Sequence, residues 1–232
     1  MLQPAVQTAR PSLGGFRLPL PLPSARDEIW PGTTGVRETV ARDAALLWEG
    51  DRAEFCYKIV SGAVRICRLL ADGRRQVIDF LLPGDLVGFD NGETYAFSAE
   101  AIVDTVVLRQ PRHAIEATVA ANPKLGRQLL TIACARLAAA QSQILLLGRK
   151  NAAEKLASFI LALADRTGVS GAEDEPVDLA MMRADIADYL GLTIETVSRT
   201  FTNFRRGGAI DLPDVHQIVI RDRDALEDLA GD

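Results

Sequence analysis

The side chains best suited to a chemical task lie together at residues 195–199, ETVSR. An arginine can grip O6 and N7 of guanine as a fork, a carboxylate accepts from the cytosine amino group, and a hydroxyl bonds to bases or phosphates. Glu195, Ser198 and Arg199 are therefore predicted to read base edges in a DNA major groove. Residues 196–210 hold three arginines and no acid, so a positive patch interrupts a chain whose formal net charge is -5.

Two short helices joined by a tight turn are predicted to carry these residues. In the first, Ile186, Ala187 and Leu190 share a face with Met182 one turn earlier, and Gly191 follows at the expected left-handed stop. The small Ala187 and the turn-forming Gly191 let two helices cross closely, which is the helix-turn-helix pattern. The local pattern also fits an ordinary amphipathic helix pair with a solvated polar face.

The second helix is predicted to begin after Thr193, whose hydroxyl suits an N-cap, and to bury Ile194, Val197 and Phe201. Other side chains of the motif would position the DNA by contacting its phosphates without reading sequence. The candidates for these backbone contacts are Arg183, Thr193, Thr196, Arg205 and Arg206.

The run DIADYLGLT at residues 185–193, followed by IETVSR, resembles the DNA-reading element of the CRP/FNR superfamily. The order Glu-x-x-Ser-Arg is closer to the FNR and FixK-like branches than to the cyclic-AMP receptor branch. With the upstream features, the resemblance covers about residues 35–220. It implies a homodimeric transcription regulator, an activator rather than an enzyme, that binds palindromes with TTGAT-like half-sites and contacts RNA polymerase. Glu195, Ser198 and Arg199 would then be its base-reading residues.

Composition sets wider bounds on the class of protein. A chain of 232 residues with 48% hydrophobic content can build one large or two modest domains. A pI near 5.2 argues against a bulk nucleic-acid coat protein, but it allows a DNA reader with a local positive patch. The longest uncharged stretch, residues 137–148, is too short and too polar to span a bilayer, and the N-terminus lacks a secretory signal. We therefore expect a cytoplasmic protein with no membrane partner.

The three cysteines, Cys56, Cys67 and Cys134, are widely spaced and odd in number, which fits a reducing cytosol. The FNR branch proper holds an iron–sulfur cluster on four cysteines, most of them near the N-terminus. Three cysteines with none before Cys56 cannot supply four thiolates, so no cluster is expected. Cys134 is predicted to be a small buried apolar group.

Residues 1–30 contain five of the eleven prolines and are predicted to form a mobile arm. Short β-rich runs broken by turn signals follow, and they predict an antiparallel β-roll, or jelly roll, over residues 31–112. The predicted strands are 36–40, 46–49, 55–60, 64–70, 76–82, 97–101 and 105–109. With the helices that follow, the fold class is α+β.

The β-roll resembles the sensor domain of the same superfamily, yet its ligand residues differ. Cyclic-nucleotide-binding relatives carry Gly-Glu for the ribose and an arginine before Ser-Ala for the cyclic phosphate. Here the matching runs are Gly-Phe at 88–89 and Phe-Ser-Ala at 97–99, and Glu93 is out of register. Phe97 cannot supply the forked cation that a phosphate needs, so cyclic-nucleotide binding is not expected. An effector-gated regulator with an unidentified ligand in the roll is the alternative.

A metal-dependent enzyme built on a β-roll would need two or three histidines and a carboxylate converging inside it. The chain has only His113 and His216, both outside the predicted strands. We therefore expect no catalytic residues, no metal and no other cofactor; haem is disfavoured by the same shortage of ligands.

Residues 113–149 are predicted to form the dimerisation region, in which Pro123 starts a long helical segment that runs to about Arg149. Six apolar residues at spacings of 3, 4, 3, 4 and 3 make a narrow seam that suits pairing with a second copy. This seam consists of Leu130, Ala133, Leu137, Ala140, Ile144 and Leu147. A dimer would supply two DNA-reading helices, one for each of two half-sites about 34 Å apart. The alternative is that the stripe packs against the β-roll of its own chain.

The DNA-binding domain is predicted to span residues 150–232. Asn151 and Glu154 have the spacing of a capping box that opens a helix, and Gly168 ends that helix. Beyond the reading helix, two short strands at 209–212 and 217–220 would add a wing, and Asp222 would cap a final helix.

Overall fold

The computed structural model of the protein describes residues 35–89, 92–169 and 175–231. The predicted proline-rich arm, residues 1–30, lies outside these described residues. The N-terminal part of the described chain is an antiparallel β-roll, and the C-terminal part is a winged helix-turn-helix. A long helix links the two, so the predicted α+β fold is confirmed.

The roll consists of two four-stranded antiparallel sheets with strand orders β1-β8-β3-β6 and β2-β7-β4-β5. Buried side chains such as Ile59, Leu81 and Val107 form the core between the sheets. The two-residue strand β6 was not predicted, because so short a run carries no alternation. The strands are β1 (Val36–Val40), β2 (Ala45–Leu47), β3 (Phe55–Ser61), β4 (Val64–Leu69), β5 (Arg75–Leu81), β6 (Leu86–Val87), β7 (Ser98–Ala101) and β8 (Thr105–Pro111).

A glycine sets the tight connection from β3 to β4. Gly62 has φ +89°, a left-handed value that side chains other than glycine rarely adopt. A Cβ at this position would lie 2.7 Å from the Cα of Thr105. The close approach lets the Thr105 hydroxyl bond to the backbone of Ala63 on the neighbouring turn.

The dimerisation region predicted at 113–149 contains two helices, and the longer one starts at Pro123 and ends at Arg149, as predicted. They are α1 (Arg112–Ala121) and α2 (Pro123–Arg149). Asn122 is extended between them, and its side chain accepts from the Lys124 amide at 3.1 Å. Pro123 occupies the first turn of α2, where its missing N–H has no helical partner to lose.

One face of α2 packs against the β-roll through Leu125 and Ile132. Another face, roughly 100° round the helix, carries the predicted seam. All six seam residues are exposed in the single chain. The alternative that this stripe packs on its own roll is therefore wrong. Cys134, predicted to be buried beside the seam, is exposed as well.

By length and composition alone, α2 is long and apolar enough to cross a membrane. The sequence-based expectation considered only the uncharged residues 137–148, whereas these criteria tolerate a charge, and Arg136 is the single charge among residues 130–147. A helix that forms a dimer needs the same two properties, a long helix and an apolar stripe along it.

The DNA-binding part begins with a capping box. The Asn151 side chain accepts from the Glu154 amide at 3.1 Å, and the Glu154 carboxylate accepts from the Asn151 amide at 2.7 Å. The helix they open ends at Gly168, which is left-handed as predicted. Strand β9 was not predicted. The elements are α3 (Ala152–Thr167), β9 (Pro176–Asp178), α4 (Arg183–Leu190), α5 (Ile194–Arg206), β10 (Ile210–Asp214), β11 (Gln217–Ile220) and α6 (Arg223–Ala230).

An aromatic cluster joins the two parts of the chain. The ring of Phe80 on β5 lies 5.2 Å from that of Tyr189 on α4 and 6.2 Å from that of Phe159 on α3, measured between centroids. Such edge and tilted contacts are favourable beyond the apolar area they bury. The core of the DNA-binding part thus continues into one sheet of the β-roll.

Candidate nucleic-acid interface

Helix α4 is closed at both ends by local contacts. The Asp185 carboxylate accepts from the Met182 amide at 3.3 Å at its start, and Gly191 ends it with φ 62° as predicted. Met182 was predicted to join the buried face, but it is exposed and Met181 is buried instead. The reason is that Met182 precedes the helix in an extended conformation, so the helical periodicity does not yet apply to it.

Helix α5 starts at the predicted cap, where the Thr193 hydroxyl accepts from the Thr196 amide at 3.2 Å. Val197 and Phe201 are buried against the rest of the domain, as predicted. Ile194 was predicted to be buried, yet it is 49% exposed. It is the first residue of the helix and has no preceding turn to pack on.

Glu195, Ser198 and Arg199 are all exposed on α5, and their three- and four-residue spacings put them on one face. The backbone N–H of Glu195 itself, at the start of the helix, lowers the pKa of the Glu195 carboxyl. The Thr193 hydroxyl and Arg199 lower it further. Glu195 is thus an ionised acceptor beside a forked cationic donor, both open to a ligand.

The candidate phosphate contacts flank this face. Thr193 is exposed and Thr196 half-buried at the N-terminus of α5, where free N–H groups attract anions. Their hydroxyl oxygens lie 3.0 Å apart. Arg205 and Arg206 are exposed in the last turn, so the helix presents donors near both ends.

Arg183 occupies a different environment from these exposed residues. Its guanidinium stacks 3.6 Å from the centroid of the Phe201 ring, and burial lowers its pKa. One terminal nitrogen, Nη1, is buried with no hydrogen-bond partner among the described residues. Arg183 therefore holds α4 against α5.

Strands β10 and β11 form the predicted wing, and β9 adds a third strand to its sheet. At the tip Val215 is exposed, and the His216 amide donates to the Asp214 carboxylate at 3.2 Å. The Nδ1 atom of His216 lies 3.2 Å from the Leu179 carbonyl oxygen. The histidine ring is thus engaged within its own domain.

Between the β-roll and α2 lies a mainly apolar cavity of about 310 Å³ that is partly open to solvent. Gly88, Phe89 and Phe97 line it, which are the positions where the cyclic-nucleotide ligand residues were sought. Its charged lining residues are Asp79 and Arg136, and Arg136 donates to the Leu86 carbonyl oxygen at 2.6 Å. In the part of the chain that the structure describes, no three histidine, cysteine or acidic side chains are grouped to hold a metal.

Asp79 connects the wall of this cavity to the DNA-binding part. One of its carboxylate oxygens lies 3.9 Å from Nη1 of Arg166 on α3. Desolvation raises the pKa of Asp79, against the opposing effect of Arg166 and Arg136 and with a smaller contribution from Asp85. Arg166 also pairs with Asp85, so the two carboxylates share one buried arginine.

Sequence reasoning missed the role of Asp185 and Asp188 on α4. The Asp185 carboxylate pairs with both Arg65 and Arg75 of the β-roll. The Asp188 carboxylate pairs with Arg75. A signal was present in the sequence, because two acids next to a DNA-facing helix would repel phosphates unless cations neutralised them.

A β-roll joined through a long helix to a winged helix-turn-helix defines a DNA-binding transcription regulator. The cyclic nucleotide-binding domain family matches residues 37–122, and the Crp-like helix-turn-helix domain family matches residues 154–229. Nitrogen fixation regulation protein FixK of Azorhizobium caulinodans is 45% identical over 207 residues, which are 89% of this chain and 84% of that protein. FixK of Rhizobium meliloti is 42% identical over 79% of this chain and 82% of its own length.

The structure of FixK2 from Bradyrhizobium japonicum superimposes with a TM-score of 0.80 at 38% identity, covering 84% of this chain and 97% of that one. The chain therefore belongs to the CRP/FNR family and is similar to its FixK-like members. Proteins of this family are transcription regulators and not enzymes, in agreement with the sequence-based expectation.

Proposed function

We propose that this protein is a cytoplasmic transcription activator that binds palindromic TTGAT-like sites as a homodimer without a cyclic nucleotide. The observation that carries the proposal is the shared exposed face of Glu195, Ser198 and Arg199 on α5. Arg199 would donate to a guanine, Glu195 would accept from a cytosine amino group, and Ser198 would bond beside them. RNA polymerase would be the partner of the DNA-bound dimer.

Contacts to the DNA backbone would fix the register of the reading helix. Thr193 and Thr196 suit a phosphate at the helix N-terminus, and Arg205 and Arg206 suit phosphates at its other end. Arg183 is stacked on Phe201 with its Nη1 buried, so its side chain would have to move to contact a phosphate. Contacts to phosphates have the same strength on every DNA sequence, and they weaken strongly as the salt concentration rises.

Dimerisation would come from the seam on α2, that is Leu130, Ala133, Leu137, Ala140, Ile144 and Leu147. The exposure of these residues in the single chain supports this role, because a regular apolar stripe exposed to water marks a surface that binds a protein partner. A second copy is the partner that a palindromic site requires, because each half-site needs its own reading helix.

The runner-up is a regulator gated by an effector in the β-roll. The observation in its favour is the 310 Å³ cavity, which is apolar apart from Asp79 and Arg136. Phe97 stands where a phosphate-binding arginine would be needed, so cyclic nucleotides fit it poorly. Saturable micromolar binding of cyclic AMP to the purified protein would contradict the proposal that the active form is free of cyclic nucleotide.

The test of base reading compares Arg199→Ala with Arg206→Ala on a TTGAT palindrome and on random DNA. Both changes remove one positive charge from α5. Arg199→Ala is expected to cost about 1–3 kcal/mol per half-site on the specific site and to relax discrimination at one base pair. Arg206→Ala is expected to weaken both DNAs alike. Equal losses on the two DNAs for Arg199→Ala would make Arg199 a phosphate anchor and would refute its reading role.

A further inference from the structure

The first turn of the helix-turn-helix is held by the β-roll through a buried acid. Asp185 on α4 is only 3% exposed. Its Oδ1 atom accepts from Nη1 of Arg65 at 3.2 Å and from Nη2 of Arg75 at 2.7 Å. Both arginines belong to strands of one sheet in the roll, so the ion pairs cross between the two parts of the chain.

Arg75 makes a second contact one turn further along α4. Its Nε and Nη2 atoms donate to Oδ2 of Asp188 at 3.0 and 2.8 Å. The neighbouring Gln76 side chain donates to the Asp188 carbonyl oxygen. Because a guanidinium is planar and its donors point in fixed directions, this pairing constrains orientation as well as distance.

The same helix is held from other sides too. Lys155 on α3 donates to the Leu190 carbonyl oxygen at 3.2 Å, and Gln143 on α2 donates to the Tyr189 carbonyl oxygen at 3.2 Å. Arg65 is itself oriented by Glu100, whose Oε2 accepts at 2.7 and 2.8 Å. The roll, the long helix and the DNA-binding part are therefore tied together at α4, directly before the reading helix.

We propose that Arg65 and Arg75 are positioning residues that fix the reading helix relative to α2 and so set the half-site spacing that the dimer accepts. This inference rests on the proposed binding of a palindrome by a homodimer. Adding one base pair between half-sites moves them apart by about 3.4 Å and also rotates them about the duplex axis. A reading helix held in one orientation cannot follow that change, whereas a loosely attached one can.

The test uses the full chain with Arg75→Glu, which places a like charge against two acids. The matched control is Arg74→Glu, the adjacent residue, which pairs with Asp72 inside its own turn and is 77% exposed. Both variants change the net charge equally, but Arg75→Glu also leaves Asp185 and Asp188 without a cation, so each variant's palindrome affinities are compared with its own affinity for a single half-site. Affinities are measured for the best-spaced palindrome, for palindromes one base pair longer and shorter, and for a single half-site.

The discrimination is the ratio of the affinity for the best-spaced palindrome to that for the longer or shorter one. Arg75→Glu is expected to lower this ratio at least about fivefold relative to the wild type, which is a usual size for coupling between sites. A uniform loss of affinity from the exposed acids would cancel in the ratio between spacings, and Arg74→Glu should keep the wild-type discrimination. Adding Asp188→Arg to Arg75→Glu exchanges the charges and should restore the preference. Wild-type discrimination in Arg75→Glu, or an equal loss in Arg74→Glu, would overturn the proposal.

Two further measurements separate this inference from the proposed function. If the wild type shows no preference for any spacing, the palindrome-binding dimer fails; hydrogen exchange of the α4 amides still tests the ion pairs without DNA. Faster exchange in Arg75→Glu than in Arg74→Glu supports the contact, and identical exchange refutes it. Should Arg75→Glu not fold, Arg75→Gln removes the donor fork without adding repulsion, and it replaces Arg75→Glu in the spacing and hydrogen-exchange comparisons with Arg74→Gln as its control.

Discussion

The exposed stripe on α2 makes a quantitative prediction about Leu137, a residue in the middle of the seam. Leu137 is 60% exposed in the single chain, so pairing of α2 with a second copy of α2 could bury that exposed fraction of the side chain. Full burial of a leucine side chain stabilises an interface by about 1.5–3 kcal/mol. Replacing leucine by alanine leaves only the Cβ of that side chain, so most of this stabilisation is lost. Counting both copies, Leu137→Ala should weaken the dimer by about 2 kcal/mol, which is roughly a 30-fold rise in the dissociation constant.

Sedimentation equilibrium over a dilution series measures this constant directly. The control is Leu145→Ala, which removes the same atoms from the same helix at a position that is 64% exposed but about 100° away from Ile144 in the seam. Leu145→Ala should leave the dissociation constant within about twofold of the wild type, since exposed substitutions away from contacts cost little. Equal effects of the two substitutions, or none from Leu137→Ala, would refute the assignment of the seam.

Three further predictions concern single residues of the roll and α2. Iodoacetamide should alkylate the exposed Cys134 quickly in the folded protein and Cys67 only on unfolding, because burial raises the Cys67 pKa to about 11; equal rates would contradict this. Gly62→Ala should lower the free energy of unfolding by about 1–3 kcal/mol more than Gly50→Ala in urea denaturation, since both glycines have φ +89° but a Cβ at Gly50 meets nothing within 4 Å. Since the pKa of Asp79 is raised in the folded state, its stabilising effect is lost as pH rises from about 4 through that raised value. Asp79→Asn should therefore flatten the fall of Tm with pH over that window, and a curve parallel to the wild type would refute the assignment.

The sequence predicted best those features that depend on neighbouring residues. Thr193, Gly191 and the Asn151–Glu154 pair each act within one turn of helix, so their spacing alone determines the cap. The β-roll strands also follow from local alternation and turn residues. The errors at Met182 and Ile194 have the same origin: a period of 3.6 residues was extended to positions at or before the helix start, where no earlier turn covers the side chain.

Contacts between distant segments were not predictable from one sequence. Arg65 and Asp185 are 120 residues apart, and Arg75 and Asp188 are 113 apart. An arginine on a strand and an acid on a helix each look like ordinary surface charges, and nothing local specifies their pairing. The partly buried Arg183 is a similar case, because its stacking on Phe201 depends on how two helices cross.

The surroundings of the long helix α2 favour a dimer-forming role over a membrane-spanning one, two uses that its composition leaves equal. A membrane-spanning helix needs apolar surface on every side that meets lipid. On α2 the chain itself covers one side, where Ile132 is buried and Arg136 and Gln143 bond to carbonyl groups of the roll and of α4. The predicted seam that remains is narrow and regular, and its two alanines, Ala133 and Ala140, permit close approach of one helix of matching shape. A second copy of the same helix meets that description, and it also brings the second arginine-bearing helix that a palindrome requires.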